Sequence, residues 1–110
     1  MLTQGSIIWL DFSPTAGHEQ KGHRPALVVS AKSFNTSMGG IVWVVPVTSK
    51  TKERPEEVAL PDGLPVSGVL LLSQIRALDV KARGFKIAGQ VSEDFMTDEV
   101  LGRLIAVFTG

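Results

Sequence analysis

The chain has 110 residues, a formal net charge of zero, 44% hydrophobic residues and no cysteine. That length admits one domain and one core, and the missing thiols exclude disulfides, thiolate catalysis and cysteine-based zinc sites. Zero net charge argues against a protein held to nucleic acid by bulk charge, and no apolar run is long enough to span a bilayer.

The elements read in chain order as short β-runs followed by one helix. Residues 7–10 form a first strand, closed by a turn at Ser13-Pro14. Residues 25–30 form a second, with Pro25 at its first position, where a missing N–H does little harm. A weak helical turn is expected over residues 31–34. Residues 41–47 are the most β-rich stretch, and Pro46 within it marks a strand end or bulge beside something functional. Residues 56–60 and 68–72 make two further strands joined through Pro61-Asp62-Gly63, a turn signal. A last strand runs from about Arg83 towards Val91. From Ser92, read as an N-cap, the period changes. Phe95 or Met96, Val100, Leu104 and Phe108 recur at spacings near four, as on one stripe of an amphipathic helix. Many short strands with a closing helix predict a mainly β fold, a small, partly open β-barrel. Trp9 and Trp43 lie in apolar strands and are assigned to the core.

Charge is segregated along this frame. Lys21, Arg24, Lys50, Lys52 and Arg54 crowd the first half, and Arg76, Lys81, Arg83 and Lys86 form a second cluster. A neutral protein with that distribution can still carry a basic groove. The high apolar content points to a homodimer, with the surplus placed in a subunit seam. The opening residues lack a basic n-region and a long apolar stretch, so a cytoplasmic protein with no membrane partner is expected.

Three polar groups interrupt the apolar runs. The loop Thr15-Ala16-Gly17-His18-Glu19-Gln20-Lys21-Gly22-His23-Arg24-Pro25 holds both histidines, a carboxylate and an arginine between two strands. Rigid strands flanking such a loop let functional groups converge, although a polar surface hairpin has the same composition. Thr48-Ser49-Lys50 follows the third strand, where a threonine equally well caps a turn. Ser73-Gln74-Ile75-Arg76 is the third, which also reads as a charge-protected strand edge. His18 and His23 do not have the helical H-E-x-x-H spacing, so no metal site is assigned.

The blocks Gly5-Ser6-Ile7-Ile8-Trp9-Leu10-Asp11-Phe12, Gly17-His18-Glu19-Gln20, Gly22-His23-Arg24-Pro25, Val45-Pro46-Val47-Thr48, Ser73-Gln74-Ile75-Arg76 and Val100-Leu101-Gly102-Arg103-Leu104 stand in order along nearly the whole chain. Together they resemble the MazF/PemK (Kid-like) toxin family. The resemblance implies a single toxin domain over residues 1–110, an SH3-like barrel with a C-terminal helix (CcdB/PemK-like). It also implies a homodimer that cleaves single-stranded RNA without the ribosome and is neutralised by a cognate antitoxin. DNA then enters only indirectly, through a toxin–antitoxin operator complex, and no cofactor or metal is called for. By position, Arg24 and Thr48 match residues central to cleavage, and Glu19 and His18 match groups with catalytic or RNA-binding roles. Lys21, His23, Ser49, Lys50, Ser73, Gln74, Arg76 and Arg83 are the candidates to hold RNA. One departure concerns mechanism: the Kid-like arginine and aspartate fall at Leu71 and Ser73 here, so an aspartate base does not transfer.

Metal-free cleavage fits those residue types. The substrate's 2′-hydroxyl attacks phosphorus, a base takes its proton, cationic groups stabilise the phosphorane and an acid protonates the departing 5′-oxygen. An arginine supplies two donors to phosphate but stays protonated, so it is no proton reservoir. Glu19 and His18 are the base and acid candidates, in an order the sequence leaves open. Two other readings stand beside this one: a CcdB-like poison that binds DNA gyrase, and an SH3-like peptide-binding module. The second needs an aromatic groove, for which a chain without tyrosine supplies little.

Overall fold

A computed structural model of the chain describes residues 2–14, 17–20 and 22–109. Strand β1 (Ser6–Asp11) is apolar on both faces, with Ile7, Ile8 and Leu10 wholly buried. A strand covered on two sides needs two layers of packing, and the chain builds both. On one face Ile7, Leu27, Val45, Val47, Leu70 and Leu72 pack with Met96, Val100 and Leu104 of the C-terminal helix. On the other, Ile8, Leu10, Phe12, Ala26, Val28, Val42, Val44, Leu78 and Val80 pack together. The single core expected from length is therefore two clusters sharing one sheet. Much of the apolar surplus is used there, because a sheet covered on both faces takes apolar residues at successive positions.

Strands β2 (His23–Val28), β3 (Ile41–Thr48), β4 (Glu57–Ala59), β5 (Val69–Leu71), β6 (Arg76–Asp79) and β7 (Lys86–Gln90) complete an antiparallel sheet ordered β4-β5-β3-β2-β1-β7. Strand β3 has two successive partners on the edge away from β2. Its first half, through Val44, pairs with β6, and Val47 and Thr48 pair with β5. Pro46 falls in the break between them, where its missing N–H removes no ladder bond. The proline thus marks a change of partner rather than the end of the strand.

The late strand expected from about Arg83 towards Val91 is β7, while β6 and the short helix α2 (Val80–Arg83) have no counterpart in the sequence reading. The signal that separates them is Asp79, whose carboxylate caps α2 by accepting the Ala82 N–H at 3.0 Å. Helix α1 (Lys32–Ser37) is longer than the expected turn. It is tied down by buried Asn35, which donates to the Leu2 and Ser30 carbonyls at 3.2 Å each and accepts from the Ser30 hydroxyl.

The C-terminal helix begins as expected: the Ser92 hydroxyl accepts the Phe95 N–H at 3.0 Å. It runs through α3 (Glu93–Phe95), a π-helical stretch (Met96–Leu101) and α4 (Gly102–Thr109). Met96, Val100 and Leu104 are buried, but Phe108, assigned to the same stripe, is 72% exposed. The helix outruns the sheet it covers, so its last turn has no apolar layer beneath it. No helix among the described residues is long and apolar enough to cross a membrane.

Candidate functional site

Strands β2 and β3 pair with residue numbers that sum to a constant: Ala26 with Pro46, Leu27 with Val45, Val28 with Val44. Carried one alternation further, that register sets Arg24 across from Thr48 on the face that also bears Ala26 and Pro46. Both line a groove of about 460 Å³ with His23, Ser49, Trp9 and the 65–67 loop. The arginine near the start of β2 and the threonine at the end of β3, 24 residues apart in the chain, are thus brought together by pairing alone.

Thr48 is nearly buried, at 8% exposure, and its hydroxyl oxygen accepts the Lys50 N–H at 3.2 Å. The threonine therefore does cap the turn, and it lines the groove as well. A hydroxyl that accepts a bond still has a proton to donate, so the cap aligns the group without consuming its donor. Arg24 donates from Nη1 to the Val47 carbonyl at 3.3 Å.

Glu19 sits in a neighbouring groove of about 170 Å³, lined also by Phe12, Gln20, Pro46, Ser73, Gln74 and Arg76. The Gln20 N–H donates to Gln74 Oε1 at 2.8 Å, which binds the histidine-bearing loop to the turn before β6. The Arg76 guanidinium lies 5.9 Å above the Phe12 ring, a cation–π contact that holds it over this groove. Pro46 lines the second groove two residues before Thr48, which lines the first, so β3 contributes to both. Leu71, at the Kid-like arginine position, is buried.

The remaining candidates are more scattered. His18 is exposed on the loop and lines neither groove. Lys50 is exposed beside Thr48. Lys21 lies outside the described residues. Arg83 turns back to donate from Nη1 to the carbonyls of Asp11 and Ser13 at 3.0 and 2.9 Å, strapping the end of β1. It lines a third groove of about 520 Å³ with Trp9, Asp11, His23, Phe85 and Lys86.

Sequence reasoning missed the role of Trp9. Its ring is stacked on His23, centroids 5.4 Å apart and planes 12° from parallel, and it forms a wall shared by two grooves. Trp43, also assigned to the core, is 40% exposed. The 65–67 loop was missed as well; nothing in Pro65-Val66-Ser67 marks it as a groove wall. Among the described residues no three His, Cys, Asp or Glu side chains gather as a metal site would require.

Asp11 is held below a carboxylate's ordinary 3.8, chiefly by the Ser13 N–H it accepts, against some desolvation, with the Ser13 hydroxyl, His23 and Arg83 assisting. Glu57 is held below 4.5, first by the Thr51 hydroxyl and then, against desolvation, by the N–H groups of Lys52 and Glu53. Its carboxylate accepts from Thr51 at 2.6 Å and from the Lys52 N–H at 3.0 Å, ordering the chain that leaves Thr48.

Comparison with known proteins agrees with this fold. The family profile described as PemK-like, MazF-like toxin of type II toxin-antitoxin system matches residues 3–108. The endoribonuclease toxin MazF of Escherichia coli K12 is 41% identical over 90 residues, covering 82% of this chain and 79% of that protein. The endoribonuclease PemK of Escherichia coli is 40% identical, covering 98% and 83%. The crystal structure of MazF from Deinococcus radiodurans superposes with a TM-score of 0.89 at 40% identity, covering 99% of this chain and 97% of that one. A MazE-MazF structure from the same organism gives 0.82 at 41% identity, covering 98% and 96%.

Proposed function

We infer from the family to which this chain belongs, the PemK-like, MazF-like toxins of type II toxin–antitoxin systems, that it is an endoribonuclease toxin cutting single-stranded mRNA at preferred sequences. The observation that carries the reading is the cross-strand placement of Arg24 and Thr48 on one groove. A planar guanidinium beside an aligned hydroxyl suits a phosphodiester: the first donates to the non-bridging oxygens, the second adds a bond to the same charge.

The reaction is transesterification within the substrate. The 2′-oxygen bonds to phosphorus, the P–O5′ bond breaks, and the products carry a 2′,3′-cyclic phosphate (or its hydrolysed form) and a 5′-hydroxyl. DNA lacks the nucleophile and resists. Glu19 and His18 share the proton transfers. Glu19 lines the second groove and His18 is exposed on the same loop, so either can act as the base with the other as the acid. His23, Ser49 and Lys50 border the Arg24 groove, and Ser73, Gln74 and Arg76 line the Glu19 groove, so the strand is held on both sides of the cut; Lys21 and Arg83 add cations beyond. Neither cofactor nor metal is required. Endoribonuclease is the activity named for the relatives, which supports cleavage over gyrase binding.

The protein works in the cytoplasm as a homodimer, neutralised by a cognate antitoxin. The likeness to a toxin solved together with MazE supports that partner. DNA is met only through an operator complex with the antitoxin.

The test is cleavage of single-stranded RNA in chelator, followed by sequencing of both new ends. We expect cyclic-phosphate and 5′-hydroxyl termini, and a loss of roughly 10²–10³ in rate for Arg24→Ala with the fold intact. Activity that disappears in chelator, or survives in Arg24→Ala, overturns the scheme.

A further inference from the structure

Two backbone hydrogen bonds fix which way β2 faces its neighbours. The Phe12 N–H donates to the Gly22 carbonyl at 3.0 Å, so the even-numbered residues at the start of β2 turn their backbone groups towards β1. The Val29 N–H donates to the Trp43 carbonyl at 2.9 Å, so the odd-numbered residues turn theirs towards β3. In an antiparallel ladder the bonded pairs recur at every second residue. Val29 with Trp43 is followed by Leu27 with Val45, and then by residue 25 with Val47.

Residue 25 is a proline. It has no N–H, so the ladder leaves the Val47 carbonyl without its β2 donor. That acceptor is the one Arg24 takes, through Nη1 at 3.3 Å. We propose that Pro25 is a positioning residue: by withholding the N–H due to Val47, it opens an acceptor that anchors the Arg24 guanidinium beside Thr48. The adjacency of arginine and proline is then one device, in which the second residue vacates the socket that the first one fills. Pro25 sits inside the register, with Trp9 opposite it on β1, and its ring also lines the Arg24 groove, so an N-methyl control is needed to keep the ring's loss apart from the return of the N–H.

The inference rests on the cleavage reading for its kinetic consequence, not for its geometry. Pro25→Ala restores an N–H in register with Val47, which then competes with Arg24 for one carbonyl. The variant should fold, with an unchanged or higher melting temperature, while kcat falls roughly 10- to 100-fold at nearly constant KM, because a misplaced catalytic group costs rate rather than affinity. N-methylalanine at position 25, introduced by semisynthesis, has the alanine side chain without the N–H and should return kcat to the native value. A second readout needs no substrate: nitrogen-15 spectra of the Arg24 guanidinium should show hindered rotation in the native protein and the N-methylalanine form, and faster rotation in Pro25→Ala. Equal kcat in Pro25→Ala and the native chain, equal impairment with and without the N-methyl group, unaltered guanidinium spectra, or failure of Pro25→Ala to fold would each overturn the proposal. If the native protein cuts no RNA, the cleavage reading falls and the spectra alone decide the positioning.

Discussion

Asp11 shows how a single side chain steadies the ground on which the site is built. Its carboxylate accepts the Ser13 N–H at 2.9 Å, and Arg83 binds the carbonyls of the same two residues, so the turn that ends β1 is fixed twice. The Ser13 bond holds the Asp11 carboxyl below its ordinary 3.8. A depressed folded value means that the ionised form stabilises the fold above the unfolded value and that this contribution is lost as pH falls through the lowered one. Acidification below about pH 3.8 should therefore loosen the turn beneath His23 and Trp9, whereas neutral pH should not. A carbon-13 titration of the Asp11 carboxyl tests this, with Asp11→Asn removing that part of the acid dependence. A midpoint at or above 3.8 contradicts it. None of this was legible in the sequence, where Asp11 is only a charge at the end of an apolar run and Arg83 one of several cations offered to RNA. Arg24 and Thr48 were legible, because the family motifs fix their types and positions. Their meeting on one groove was not, since it depends on strand register, which no local pattern encodes.

At the scale of elements, the site depends on how closely β5 approaches the end of β3. Gly68 stands at the start of β5 with φ +136°, a region that favours glycine, and a Cβ there would lie 2.5 Å from the Thr48 carbonyl oxygen and 2.9 Å from Val47 Cγ1. No flexible side chain can yield to relieve the first of these contacts, because the obstacle is backbone. Gly68→Ala must either push β5 away or drag Thr48 out of register with Arg24. We expect a loss of about 2 kcal/mol or more in unfolding free energy from steric strain at a special backbone position. A fall in RNA cleavage should exceed what the unfolded fraction explains. Denaturant melts and rates measured on the same preparation check both, and native activity in a folded Gly68→Ala protein would show that Thr48 tolerates the displacement. Periodicity located the strands flanking this contact. It located β7 but not β6 or α2, since elements of four residues are too short for a period to declare itself.

The whole molecule uses its apolar residues on both faces of one sheet, yet a remainder is left outside. Ile105, Val107 and Phe108 of α4 are 60%, 42% and 72% exposed, close together at one end of the fold. An isolated exposed apolar side chain is ordinary, but a contiguous group on one helical turn marks a surface that is covered in use. The buried stripe of the same helix explains why the group exists: Met96, Val100 and Leu104 satisfy the sheet, and the outer residues have no such duty. The proposed homodimer gives them one, with α4 of each copy contributing to a two-fold seam. Sedimentation should then find a species of about twice 11.8 kDa, and Phe108→Asp should shift it towards the single chain, since a carboxylate buried in an apolar seam without a partner is strongly unfavourable. Phe108 lines neither the Arg24 nor the Glu19 groove, so any loss of RNA cleavage should follow the loss of dimer and recover at high protein concentration. A dimer untouched by Phe108→Asp would move the seam to another exposed apolar group, such as Ile87 at 59%, or Met38 and Trp43 at 44% and 40% exposure.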